Sequence, residues 1–242
     1  MIRVARPEPA PAALLVEGDA RTAEDCAAYD RQERSFKFES SIYGHADVKS
    51  ALVRLHSGKC CYCESKVRHV SPGTIDHYRP KTGSQQAAGE PLLRPGYYWL
   101  AYDWKNLLFT CEGCNMQHKR NLFPLANPGS RARSHHDDPS KEQPLLIDPS
   151  AEDPAQFIGF REEVAFAMGD NVRGRTTIEM LKLNERKDLV ERRRERLEIF
   201  RVMSKVPALG PGSQEAADAE AWVRKAISNA GEYSAMLRAA SP

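Results

Sequence analysis

The chain has 242 residues, 41% of them hydrophobic and 28% charged, with 16 Pro and 15 Gly, which is ordinary globular composition with the length to bury a core without disulfides. No apolar run approaches the roughly 20 residues of a membrane span, and Pro7, Glu8, Pro9 and Pro11 interrupt the segment where a signal peptide would need an unbroken apolar stretch, so membrane and secreted classes are excluded and a cytoplasmic protein is expected. Net charge is only +2, but residues 54–120 carry +5 against −2 before and −1 after, so the positive charge able to attract a phosphate backbone sits in one segment.

In chain order, residues 22–35 predict a helix with Thr22 as its cap. Val48, Ala51, Leu52 and Leu55 follow helical spacing, with Gly58 as the stop. Val67 to Tyr78 predicts two short strands around Ser71-Pro72-Gly73, and residues 81–96 a loop. An aromatic run follows (Tyr97, Tyr98, Trp99, Tyr102, Trp104) and leads into Leu107, Leu108 and Phe109. The aromatics could stack on bases, but Trp99 and Trp104 fit better as core. A helix restarts after Cys114. Residues 127–144 predict a polar connection, in which His135, His136, Asp137 and Asp138 could bind metal as a patch but fit better as a solvated turn. Residues 157–168 alternate as a hairpin. Thr176 or Thr177 caps a helical region running to about Lys205 with a break near Asn184, and a last helix spans about 214–229. The arginines at 192, 193, 194 and 196 alternate with glutamates and predict a solvated, self-paired face.

Five of the six cysteines cluster. Cys60 and Cys63, and Cys111 and Cys114, are two C-x-x-C pairs, each able to bite one ion through a tight turn. Together they make a coordinatively closed, structural zinc site of four cysteines, with Cys61 as the spare. A thioredoxin-like redox pair competes with this reading but lacks its βαβ setting.

Between the pairs lies Thr74-Ile-Asp76-His77-Tyr-Arg79-Pro-Lys81. Trp104-Lys-Asn106-Leu107 follows, and Asn115 stands directly after Cys114. This order resembles the HNH endonucleases, whose ββα-metal (His-Me finger) motif matches about residues 60–123. Cys63-Glu64, the Asp-His-Tyr-Arg-Pro-Lys string, Phe123-Pro124-Leu125, Leu146-Ile147-Asp148-Pro149, Thr177-Ile178, Leu183-Asn184 and Arg186 extend the similarity to the PtuB-like HNH nucleases of Septu-type and retron-associated anti-phage systems.

That resemblance implies a general base at His77, an imidazole able to take a proton near neutral pH. It implies ligands for a catalytic Mg2+ or Mn2+ at Asp76 and Asn115, oxygen donors suited to a hard cation. It implies a positioning asparagine at Asn106, which would itself be the ligand if the register were shifted. Arg79, Lys81 and Lys119 are candidate phosphate contacts. Where many HNH proteins carry a Lys three residues after the last ligand, this chain has His118, which is open to reading as a ligand, a phosphate contact or neither. His56 and His69 read as structural or exposed. Asp76 and His77 raise a geometric difficulty: strand neighbours point to opposite faces, so the two can serve one site only at a strand end or bulge.

The expected architecture is α+β: a zinc-stapled ββα-metal core (59–126), helical support before it (1–58), and a linker, hairpin and helical C-terminal region after it (127–242). The expected activity is metal-dependent endonucleolytic hydrolysis of DNA, with an ATPase partner of the PtuA type implied by the resemblance. The rivals are an inactive zinc-dependent nucleic-acid or protein-binding module and a stand-alone restriction-type HNH enzyme.

Overall fold

The computed structural model describes residues 1–6 and 9–241; Pro7 and Glu8, which interrupt the N-terminal segment in sequence, and Pro242 lie outside the described residues. Leu107, Leu108 and Phe109, three consecutive apolar residues, form a strand covered on both faces. Strand β1 (Thr74–His77) pairs antiparallel with β2 (Leu107–Thr110), in the register Thr74↔Thr110, Ile75↔Phe109, Asp76↔Leu108 and His77↔Leu107. Leu107 and Phe109 enter one cluster with Leu14, Ile42, Val48, Leu52 and Trp104. Leu108 enters the other, with Tyr62, Tyr78, Phe123, Leu146, Leu181 and Leu197. Each such side chain withdrawn from water contributes about 1.5–3 kcal/mol. Residues from either side of positions 58 and 126 share these two clusters.

Helix α1 (Asp19–Asp30) continues from a π-helical turn at Leu14–Gly18, so it begins before Thr22, which is not its cap. A short helix α2 (Ser40–Tyr43) precedes α3 (Ala46–Leu55), whose Val48 and Leu52 are buried. The expected pair of strands around Ser71–Gly73 reduces to one. Val67–Val70 folds as turns with Val70 exposed, and β1 takes its partner from residues 107–110 instead. Gly73 enters β1 at φ +66, where an added Cβ would stand 2.4 Å from the Phe109 ring.

The 127–144 segment is exposed over most of its length, His136, Asp137 and Asp138 included, as a polar connection should be, but Arg131, Ala132, Ser134 and Glu142 turn inward. Glu142 is buried and accepts from Tyr97 Oη (2.6 Å), the Ala132 N–H (2.9 Å) and Arg79 Nε (2.9 Å). Buried Arg131 donates to the Phe123 carbonyl (2.8 Å) and to Tyr97 Oη (3.1 Å). These two charges can be buried because each finds several hydrogen-bond partners.

The hairpin forms as β3 (Ile158–Arg161) and β4 (Val164–Ala167). Helix α4 (Val172–Met180) is capped by Asn171, not by a threonine; Thr177 lies inside it, its hydroxyl accepting from the Ile147 N–H at 3.1 Å. After a break containing Asn184 come α5 (Lys187–Leu209), α6 (Gln214–Ile227) and α7 (Ser234–Ala239). Of the arginine cluster, Arg192 and Arg194 pair with Glu195 and Glu163 on the surface. Arg193 departs from the expectation: it is buried, donates to the Leu183 carbonyl (2.8 Å) and lies over the Phe160 ring. The fold is α-rich with two small sheets, and no helix among the described residues is long and apolar enough to cross a membrane.

His56 closes α3. Its Nδ1 lies 2.7 Å from the Leu52 carbonyl, and its Nε2 is buried without a hydrogen-bond partner among the described residues. Burial pushes its pKa down from 6.5 to about 4. The folded state therefore refuses a proton that the unfolded chain accepts, so its stabilisation is complete above pH 6.5 and is lost as pH falls towards 4. The shift corresponds to about 3 kcal/mol. Denaturant titrations across roughly pH 4–7 should show His56→Gln losing less stability than the wild type over that window; parallel curves would contradict this.

Candidate metal centre and active site

Cys60 and Cys63 lie on a knuckle tied to the sheet by the Cys61 N–H, which donates to the Phe109 carbonyl (3.0 Å). Cys111 follows β2, and Cys114 lies in the π-helical turn Gly113–Lys119. The four sulfurs lie within 4.8 Å of one another, Cys63 and Cys111 at 3.8 Å. A zinc tetrahedron of four thiolates has edges of about 3.8 Å, so four convergent thiols fit one zinc ion and could hold it. Hydrogen bonds from Cys111, Cys114 and Cys60 hold the Cys63 thiol well below its ordinary range. Arg186 Nη1 donates to Cys114 Sγ at 3.1 Å, placing a cation against thiolate charge. Cys61 is buried but outside the cluster.

Beside the knuckle, buried Glu64 accepts from the Met1 ammonium (2.6 Å), Lys59 (3.3 Å) and Ser234 (2.9 Å). Burial alone would raise its pKa; the two cations hold it down at about 2.

The β1–β2 register has no bulge, so Asp76 and His77 do point to opposite faces. Asp76 shares its face with Leu108. Tyr62 Oη donates to its Oδ2 (2.8 Å) and Lys119 Nζ to its Oδ1 (2.9 Å); Lys119 also donates to the His77 carbonyl (2.8 Å). Burial pushes the Asp76 carboxyl up, against Lys119 and Tyr62. Asn115 lies along the same face: its Nδ2 donates to Thr74 Oγ1 (3.1 Å) and the Ile75 carbonyl (3.3 Å), leaving its amide oxygen unengaged among the described residues.

His77, the last residue of β1, shares the other face with Leu107. Its Nε2 lies 2.8 Å from the Ala101 carbonyl; a carbonyl only accepts, so Nε2 carries the proton and Nδ1 keeps its lone pair. Lys81 Nζ lies 3.4 Å from that Nδ1, and Tyr43 meets the ring edge-on at 4.8 Å between centroids. Burial, then Lys81, push the imidazole well below its ordinary pKa, leaving it neutral; burial lowers Lys81 itself to about 8.

Asn106 prolongs the ladder with its side chain. Its Oδ1 accepts from the Arg79 N–H (2.8 Å) while Nδ2 donates to the Arg79 and Leu100 carbonyls (3.0 Å each). This fixes the strand end to the segment that carries Ala101. Arg79 is engaged elsewhere, on Glu142 (2.9 Å) and the Pro139 carbonyl (3.1 Å). His118 is half-buried and lines a crevice with Arg120 and Lys182; Lys119, not His118, reaches Asp76. The wider winding of the π-helix brings a residue four positions after Asn115 onto the strand. Tyr62 and Arg186 are partners that residue type and spacing did not single out as site residues, because their roles depend on which distant residue they meet.

The donor set of Asp76 and Asn115, one carboxylate and one amide oxygen, suits a hard divalent cation, and the Lys119 ammonium on Asp76 marks that carboxylate as a position for positive charge. Both oxygens of Asp76 are already engaged, so an ion would bind there only by displacing Lys119 or Tyr62.

Two outcomes are expected. Cys60→Ser and Cys114→Ser should each lose bound zinc and cooperative unfolding while Cys61→Ser keeps both, as read by metal analysis and near-UV circular dichroism; a folded, zinc-free Cys114→Ser protein would contradict the staple. Lys119→Met strands the buried Asp76 charge and should cost about 3–5 kcal/mol in denaturant unfolding; a change under about 1 kcal/mol would show the pair to be loosely held.

Comparison with known proteins adds kinship to geometry. The chain is 35% identical over 198 residues to the Septu protein PtuB of Bacillus mycoides (strain KBAB4), covering 80% of this chain and 66% of that protein. It is 27% identical over 152 residues to the Septu protein PtuB of Bacillus thuringiensis, covering 62% and 46%. Against the Septu protein PtuA of Bacillus mycoides (strain KBAB4) it is 31% identical over 146 residues, 60% of this chain and 20% of that one. The matched region thus spans at most about two thirds of these relatives' length. No protein-family model and no solved structure matches the chain. With more than a third of aligned residues identical across four-fifths of its length, the chain belongs to the family of the Septu protein PtuB.

Proposed function

We propose that this chain is an HNH-type, metal-dependent endonuclease that hydrolyses DNA phosphodiester bonds as the nuclease component of a Septu anti-phage system. The observation that carries the reading is the orientation of His77: its Nε2 proton is held by the Ala101 carbonyl, so the base of the ring is its Nδ1 lone pair, which faces Lys81 Nζ at 3.4 Å. A base for water is the first requirement of phosphodiester hydrolysis, and a positioned base contributes typically about 10²–10⁴-fold.

His77 accepts the water proton at Nδ1, and the Ala101 carbonyl steadies the resulting imidazolium through Nε2–H. Its depressed pKa keeps it unprotonated between turnovers. Asn106 keeps the Ala101 segment and the strand end in fixed relation. Lys81, beside Nδ1, is the cation closest to where a phosphate would approach the base. Asp76 and Asn115 would hold Mg2+ or Mn2+, which when bound neutralises charge on the phosphate and the leaving oxygen. The two strands followed by the turn carrying Asn115 are the ββα-metal element of this reading, with a π-helix in the helix position.

The charge distribution supports dependence on a partner. An excess of +5 confined to residues 54–120 gives weak DNA binding alone. The kinship with Septu proteins supports a partner within a Septu system, which in this reading is an ATPase of the PtuA type.

The test is plasmid cleavage by the zinc-loaded protein in Mg2+ or Mn2+, alone and with its ATPase partner, beside His77→Ala. Nicking or linearisation that falls at least about 10²-fold in the mutant, with zinc content unchanged, is the expected result. Equal cleavage by both proteins would remove His77 from the role of base. No cleavage under any condition would leave a zinc-dependent binding module.

A further inference from the structure

We propose that Asp30, His135 and His136 form a second metal site, separate from the cysteines and from β1, that takes a borderline divalent transition ion such as Zn2+. Asp30 ends α1, and the two histidines lie in the 131–142 loop, over 100 residues away in sequence. Their ligand atoms lie within 4.8 Å of one another. His136 Nε2 stands 2.8 Å from Asp30 Oδ1, and His135 Nε2 stands 3.6 Å from Oδ2. Ligand atoms on a tetrahedral zinc are separated by about 3.3–3.5 Å, so only small movements are needed to close the set.

A second observation is independent of that clustering. The Tyr98 hydroxyl, on a fully buried residue, lies 2.6 Å from His135 Nδ1 and accepts from the His135 backbone N–H at 3.3 Å. Tyr98 is itself stacked between Phe36 (4.4 Å) and Tyr29 (5.2 Å). The ring of His135 is thereby held at Nδ1 with Nε2 turned to the carboxylate, as outer partners orient metal-binding histidines. Two imidazoles and one carboxylate select zinc-like ions over Mg2+ or Ca2+. Asp137 and Asp138 stay outside the set: each bonds backbone N–H groups of its own loop. The partly exposed edge at His136 leaves a coordination position for water.

The test titrates Co2+ into full-length protein already carrying its cysteine-bound zinc, with His136→Ala and Asp30→Asn in parallel. Both substituted side chains are at least half-exposed, so the variants keep the fold. The expected result is one further equivalent of Co2+ with the weak visible bands of a nitrogen/oxygen site and no intense thiolate charge-transfer band. Its affinity should fall at least about tenfold in each variant while zinc content stays at one. Absence of the second equivalent in the wild type, thiolate bands on the added cobalt, or a smaller fall in either variant would overturn the proposal.

Discussion

The alternation of side chains along one short strand governs everything built around it. Asp76 and His77 are neighbours on β1, and an unbulged antiparallel ladder sends one to each side. The buried partner strand continues the division: Leu108 faces the cluster nearer the cysteines, while Leu107 and Phe109 face the N-terminal helices. One face therefore collects Asp76, Lys119, Tyr62 and Asn115, and the other His77, Ala101 and Tyr43. In the proposed mechanism the two can act on one substrate because β1 ends at His77, where the chain no longer separates the faces.

A four-residue strand pair is marginal alone. The cysteine cluster joins the knuckle before β1 to the turn after β2, and Asn106 adds rungs beyond the last backbone pair. The charges buried nearby come in matched sets: Asp76 with Lys119, Glu64 with Lys59 and the Met1 ammonium, and Arg186 against Cys114. Such pairs add little net stability over apolar side chains of similar volume, but losing one member leaves a costly unpaired charge. They act mainly as constraints on geometry.

Much of this was legible in the sequence, for physical reasons. Cysteine spacing shows which thiols can share an ion, and the helical spacing of Val48, Leu52 and Leu55 marked α3. Asn184, read as a helix break, and Thr177, read as a candidate cap, prove to be clamps: Asn184 bonds both the N–H (2.9 Å) and the carbonyl (2.8 Å) of Ala165, and Thr177 bonds Ile147. Where sequence reading failed, the deciding partner was distant. Val67–Val70 has strand-like composition, but β1 found its partner 36 residues after Thr74. Polar composition at 127–144 marks an exposed connection but does not show that Glu142 turns inward to Tyr97 and Arg79. The winding of the 113–119 helix, which exchanges His118 for Lys119 at Asp76, leaves no trace in residue type.

The central claim is that His77 presents an unprotonated Nδ1 as a base, and it can be read without any substrate. In protein labelled with nitrogen-15 histidine, long-range nitrogen–proton spectra at neutral pH distinguish the protonation states of each imidazole. The predicted result for His77, assigned by comparison with a His77→Gln variant, is a neutral ring protonated at Nε2 only. A proton on Nδ1, in the other neutral form or in an imidazolium, would contradict it.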